Sequence, residues 1–122
     1  MYQLKTKFFQ RWLRKTNLTE SGLHATVLEM QAGLIDADLG GGVVKKRIAI
    51  EGRGKSGGVR TLIATNKGDR WLFVFGFEKN QRANITPTEL EALQALASSF
   101  LKMSDASVDD AIEDGTFLEI KT

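Results

Sequence analysis

Two β-type runs joined by a tight turn constrain this chain more than any other feature. Val59–Thr65 and Arg70–Phe77 are rich in β-branched and aromatic residues, and Asn66-Lys67-Gly68-Asp69 between them is a hairpin signal. The second run is apolar without a break from Trp71 to Phe75, which predicts a central strand covered on both faces. Val43–Ile50 reads as a third strand. On it Val44, Ile48 and Ile50 share a face with Lys46, while Lys45 and Arg47 share the other. With 122 residues and 42% hydrophobic content, a real core in one domain, 1–122, is expected.

Helices are expected on both sides of these strands in sequence. Tyr2–Lys7 reads as a short strand, followed by a short amphipathic helix with Phe8, Phe9, Trp12 and Leu13 at i, i+4 spacings. Leu23, Val27, Met30 and Leu34 mark the apolar face of a second helix, capped by Asn17 or Thr19, and the two helices are expected to form a hairpin. Thr86-Pro87-Thr88-Glu89 is a helix start with a capping box, leading into a buried stripe of Leu90, Leu93, Ala97, Phe100 and Leu101. Ser107–Glu113 reads as one more short helix and Thr116–Ile120 as an edge strand. The expected class is α+β: an antiparallel β-sheet packed against an N-terminal helical hairpin, with a C-terminal helix.

Charge is divided unevenly. The formal net charge is only +2, with 17 Lys or Arg against 15 Asp or Glu, yet residues 83–122 hold most of the acids and almost none of the cations. The segment from Gly40 to Arg60, GGGVVKKRIAIEGRGKSGGVR, contains Lys45, Lys46, Arg47, Arg53, Lys55 and Arg60 against the single acid Glu51. Glycine lets a backbone approach a ligand, and clustered cations attract phosphate, so the segment is suited to a polyanion. An ordinary solvated surface with an acidic tail at 104–122 is the plainer reading of the same charges.

GRGKSGG at 52–58 is read as a glycine loop whose backbone N–H groups, with Lys55 and Ser56, can hold a phosphate. It is not a nucleotide-binding P-loop. Position 49, where that motif needs glycine, is Ala49, and a β-branched strand follows where a helix is required. There is no cysteine, and His24 is the only histidine, on a helix one turn after Glu20. Asp36 and Asp38 alone make a poor metal site, so neither metal nor cofactor is expected. Without an apolar run long enough to span a bilayer or a signal-peptide pattern in MYQLKTKFF, the expected location is cytoplasmic. Lys79 and Arg82 follow the central strand in GFEKNQRANI. Antiparallel pairing would bring them to the same sheet end as residues 52–60.

DADLGGGVVKKRIA at 36–49, GRGKSGGVRTL at 52–62 and GFEKNQRANIT at 76–86, with helices placed before and after them, resemble the RelE/ParE superfamily of bacterial type II toxins. The likeness covers nearly the whole chain and is closest to the HigB-like RelE branch. It implies an mRNA endoribonuclease (an mRNA interferase) that acts on translating ribosomes and inhibits translation. It also implies a cognate antitoxin, often of helix-turn-helix type. In such a site RNA would be cut without metal by its own 2′-OH, with cations in the roles of base and charge stabiliser. Lys55 and Lys79 are the candidate bases, and Arg60 and Arg53 the candidate phosphorane stabilisers. Lys45, Lys46, Arg47 and Ser56 are candidates for binding the RNA backbone, and Arg82 for the leaving group. Two alternatives stay open: a non-enzymatic toxin of the same fold that inhibits DNA gyrase, and a plain RNA-binding module.

Overall fold

The computed structural model describes residues 1–50 and 54–121, and on the strand that begins at Gly54 it describes side chains from Gly58 onward. The elements are β1 (Tyr2–Thr6), α1 (Lys7–Leu13), α2 (Glu20–Gln31), β2 (Ala37–Gly40), β3 (Val43–Ile50), β4 (Gly54–Thr65), β5 (Arg70–Glu78), α3 (Pro87–Lys102), α4 (Asp105–Glu113) and β6 (Phe117–Glu119). They form a six-stranded sheet in the order β2-β3-β4-β5-β1-β6. The α+β class holds, but the sheet is mixed, because β1 runs parallel to β5. The chain passes through α1, α2, β2, β3 and β4 between them, a connection long enough for the return crossover that a parallel pair requires.

Each face of the sheet has its own apolar layer. Val44, Ile48, Val59, Ile63, Trp71 and Phe73 pack with Phe9 of α1 and with Leu23, Val27 and Met30 of α2. Val43, Leu62, Ala64, Leu72 and Val74 pack with Leu93, Ala97 and Phe100 of α3 and Val108 of α4. The expected central strand is therefore covered on both sides. α1 meets β5 and β1 more closely than it meets α2, so a helical hairpin is not what organises this end. Aromatic packing explains why. The Phe9 ring lies 5.3 Å from that of Phe73, and Trp12 fills the space over Gly76, where a Cβ would come within 2.6 Å of its Cε3.

Two irregularities shape the sheet. On β5, Ile63 pairs with Phe73 but Leu62 pairs with Phe75, which leaves Val74 as the extra residue of a β-bulge. Without it, Phe73, Phe75 and Phe77 would share one face by simple alternation. With it, Phe73 joins the α1–α2 layer while Phe75 and Phe77 join the α3–α4 layer. On the other side of β4, Ile48 pairs with Val59 and Ile50 with Gly54. Between these pairs β3 has Ala49 alone, whereas β4 has residues 55–58. The glycine segment is thus not the loop expected over 51–58: its backbone from Gly54 onward belongs to β4. Glycine permits the local crowding, since a Cβ on Gly58 would strike the Ile48 carbonyl oxygen and lie 3.1 Å from Ala49 Cα.

The hairpin turn forms as read. Asn66 Oδ1 accepts from the Gly68 and Arg70 N–H groups at 2.9 and 3.1 Å, and Lys67 takes a left-handed φ of 62°. Thr86, Pro87 and Glu89 form the capping box of α3. Part of the acidic tail completes the fold. Val108 and Ala111 are buried, and Asp105 accepts from Nη2 of the buried Arg70 at 2.8 Å. Asp109 accepts from the Tyr2 hydroxyl at 2.7 Å, and this bond leads the causes that push the Tyr2 phenol up to about 12.

Candidate functional site

Three register partners line up across β3, β4 and β5: Arg47 opposite Arg60, and Arg60 opposite Phe77. Direct cross-strand partners share a face, and here it is the α3 face. α3 covers the far end of that face, where Gln94 donates to the Leu39 and Gly40 carbonyls at 3.2 and 3.3 Å. The Arg47–Arg60–Phe77 row occupies the other end, next to the irregular part of β4. Antiparallel pairing is expected to bring residues 52–60 to the sheet end of 77–82; of these, Val59 pairs with Glu78 and Arg60 with Phe77.

Arg60 is the unusual member. It is only 9% exposed, and its Nη1 is buried with no hydrogen-bond partner among the described residues. Leaving one buried donor unpaired costs ~1–3 kcal/mol, and more when the group is charged. A native fold retains such a group where something outside the fold offsets the cost, and an anion does so most directly.

Arg82 reaches Phe77, the register partner of Arg60. Its guanidinium carbon is 5.7 Å from the centre of the Phe75 ring and 5.5 Å from that of Phe77. Glu89 fixes it from the other side, with Oε2 accepting from Nη1 at 3.1 Å and Oε1 from Nη2. The Arg82 hydrogen bond first, then the Thr86 backbone N–H, hold the Glu89 carboxyl down at about 2, against an ordinary 4.5. A depressed carboxylate contributes stability above its unfolded pKa and loses that contribution as pH falls toward the folded value. Glu89→Gln should therefore flatten the acid limb of the stability–pH curve between about 4.5 and about 2. Thermal unfolding across that range measures it, and an unchanged acid limb would show that the pair contributes nothing.

The other sequence candidates divide. Lys45 is half-buried on the face of Arg47, and Lys79 is exposed in the turn after β5. Among the described residues no carboxylate forms an ion pair with either. Arg47 is exposed but tethered: Asp36 accepts from its Nε at 3.0 Å and from its backbone N–H at 2.6 Å. Burial alone would raise the Asp36 carboxyl, yet these two bonds and the adjacent charge hold it below its ordinary value. Lys46 does not join the row. It is buried on the α2 face and pairs with Glu29 at 2.9 Å. Arg53 lies outside the described residues, as do the side chains of Lys55 and Ser56. Phe75, Phe77 and Glu89 were not among the residues singled out for the site. Only the bulge at Val74 puts the two rings on the face of Arg60, and no sequence signal marks it.

His24 and Glu20 are engaged elsewhere, with His24 Nδ1 2.7 Å from Gln3 Oε1 and Glu20 paired with Lys5. Asp38 pairs with Lys67. Among the described residues no group of three His, Cys, Asp or Glu could hold a metal ion, and no helix is long and apolar enough to cross a membrane. No curated protein matches the chain. A family model described as the RelE toxin of the RelE/RelB toxin–antitoxin system matches residues 1–120. A match of that extent, on a sheet that gathers cations at one end of one face, establishes that the chain belongs to the RelE family of toxins from toxin–antitoxin systems.

Proposed function

We propose that this toxin is an endoribonuclease that cuts mRNA on the ribosome, through a site on the α3 face of the sheet centred on Arg60. The observation that carries the reading is the buried Arg60 Nη1 with no partner, in a row with Arg47 and Phe77. A non-bridging phosphate oxygen would satisfy it. The three segments that resemble the HigB-like branch, all but residues 52–53 on described backbone, support the same class.

Cleavage by the RNA itself accounts for the chemistry. The 2′-oxygen loses its proton to a base and attacks phosphorus, while the bond from phosphorus to the 5′-oxygen breaks and that oxygen takes a proton. The products are a 2′,3′-cyclic phosphate and a 5′-hydroxyl. Arg60 stabilises the negative charge that grows on the equatorial oxygens, a role that suits a group that stays protonated and is held in a dry place. Lys55 or Lys79 serves as the base, and Arg53 adds charge. Arg82, held near Phe75 and Phe77 and paired with Glu89, would meet the leaving side of the phosphate. Lys45 and Arg47 bind the strand on either side, while the role of Lys46 is to pair with α2. Lys45→Ala should weaken RNA binding and lower its salt slope by about one, whereas Lys46→Met should leave the slope unchanged. Equal slopes for both variants would remove Lys45 from the interface.

Induced expression of the toxin with mapping of new mRNA 5′ ends tests the function as a whole. Growth arrest with cuts inside translated frames is the expected result. Arrest with intact messages would replace this reading with a binding toxin, the gyrase-type alternative included.

A further inference from the structure

α1 takes no part in the site above, and the groove beside it shares only Phe75 and Glu89 with that site. Phe8, Arg11, Trp12 and Lys15 follow one another at i, i+3, i+4 and i+7, so they form one stripe along the α1 side of the molecule. Phe8 is 54% exposed, unusually so for a phenylalanine, and its ring stacks on Phe75 at 5.9 Å. It walls an open cleft of about 370 Å³ whose other sides are Val74 and Phe75 of β5 and Ala92, Leu93 and Leu96 of α3. Among the described residues its only polar lining is Thr6 and Glu89, and Glu89 is already paired with Arg82. On the other side of Phe8 lies a second hollow, of about 490 Å³, lined by Arg11, Trp12, Arg14 and Lys15. Among the described residues no carboxylate pairs with these three cations.

The two halves together narrow the choice of occupant. A nucleic acid fits the cationic half, but its phosphates would lose water in the apolar cleft without gaining a donor. A second copy of the same surface would set Arg11, Arg14 and Lys15 against their own equivalents. An amphipathic protein segment satisfies both halves, with aliphatic side chains on one edge and Asp or Glu on the other. Family membership supplies a protein partner in the antitoxin. We propose that the cleft between α1 and α3, with the adjoining Arg11–Arg14–Lys15 surface, receives an acidic amphipathic segment of the antitoxin. The segment would lie against Phe75 and Glu89, the residues that hold Arg82, and so reach the edge of the RNA site along the same face of the sheet.

The proposal rests on the partner and the surface, not on the nuclease reading, and a binding assay tests it without any cleavage. The full chain and the full-length antitoxin of the same system would be purified, with Phe8→Asp and the double variant Arg11→Glu/Arg14→Glu checked for native unfolding temperatures. All three replaced side chains are exposed, so both variants should fold. Titration calorimetry should show each variant binding the antitoxin at least ~10-fold more weakly. The deficit of the double variant should shrink as salt rises, while a control at the distant Lys102 binds as wild type. Hydrogen exchange should show protection of residues 8–15 and 92–96 in the complex. Wild-type affinity in both variants, or protection that spares α1, would overturn the proposal. So would a finding that Phe8→Asp abolishes self-association or ribosomal RNA binding while antitoxin affinity is kept.

Discussion

Replacing Arg60 by methionine should slow mRNA cleavage by ~10²–10³-fold, the usual consequence of removing one preorganised donor to a developing negative charge. The same change should leave the fold as stable as before or more stable. Methionine fills much of the same volume, and the substitution removes a buried donor left unpaired at a cost of ~1–3 kcal/mol. Arg60→Lys keeps a charge but not the planar fork that can hold two oxygens, so it should recover only part of the rate. Single-turnover cleavage on programmed ribosomes, measured beside thermal unfolding, separates the possibilities. Lost activity with retained or raised stability is the signature of a residue kept for its ligand. Full activity in a destabilised Arg60→Met protein would mean that the guanidinium serves the fold alone.

Gly58→Ala is expected to be the most damaging small change in the sheet. The added Cβ strikes the Ile48 carbonyl oxygen and comes within 3.1 Å of Ala49 Cα. These are backbone atoms of a paired strand, so no rotamer change relieves the contact. The cost should be about 3 kcal/mol, which corresponds to roughly 10 °C in Tm for a domain of this size. Gly68→Ala makes a fair control, because its Cβ would meet nothing closer than Asn66 Oδ1 at 3.5 Å. Calorimetry on both variants decides the matter, and comparable Tm losses at the two positions would show that the β4 irregularity yields easily. The irregularity also adjoins Lys55, so a folded Gly58→Ala protein at low temperature should cleave more slowly as well.

Much of the architecture was legible in the residues because it depends on local signals. The capping box at Thr86–Glu89, the Asn66–Asp69 turn and the unbroken Trp71–Phe75 run all behave as local chemistry requires. What could not be read depends on long-range pairing. Nothing in Tyr2–Thr6 says that its partner is a parallel strand about 70 residues later. Ala37–Gly40, to which the sequence assigns no element, becomes β2 because β3 offers it an edge. The charged residues show the same limit. Lys45, Lys46 and Arg47 are adjacent in sequence, and alternation separated Lys46 from the other two. Only the placement of α2 shows Glu29 waiting for it, and only the start of β2 shows Asp36 restraining Arg47.

The bulge at Val74 has a consequence for how this strand can change over time. It acts as a phase shifter: before it, β5 serves the α1–α2 layer with Phe73, and after it the same alternation serves the opposite side with Phe75 and Phe77. The two halves of one strand therefore answer to different demands, packing against α1 and α2 in the first and support of the proposed RNA site in the second. Substitutions in one half need not disturb the other. Straightening the bulge without removing a residue would turn Phe75 and Phe77 toward the α1–α2 side and bring Gly76 out in their place, although every side chain would be retained. In this strand the pairing carries information that the residue identities do not.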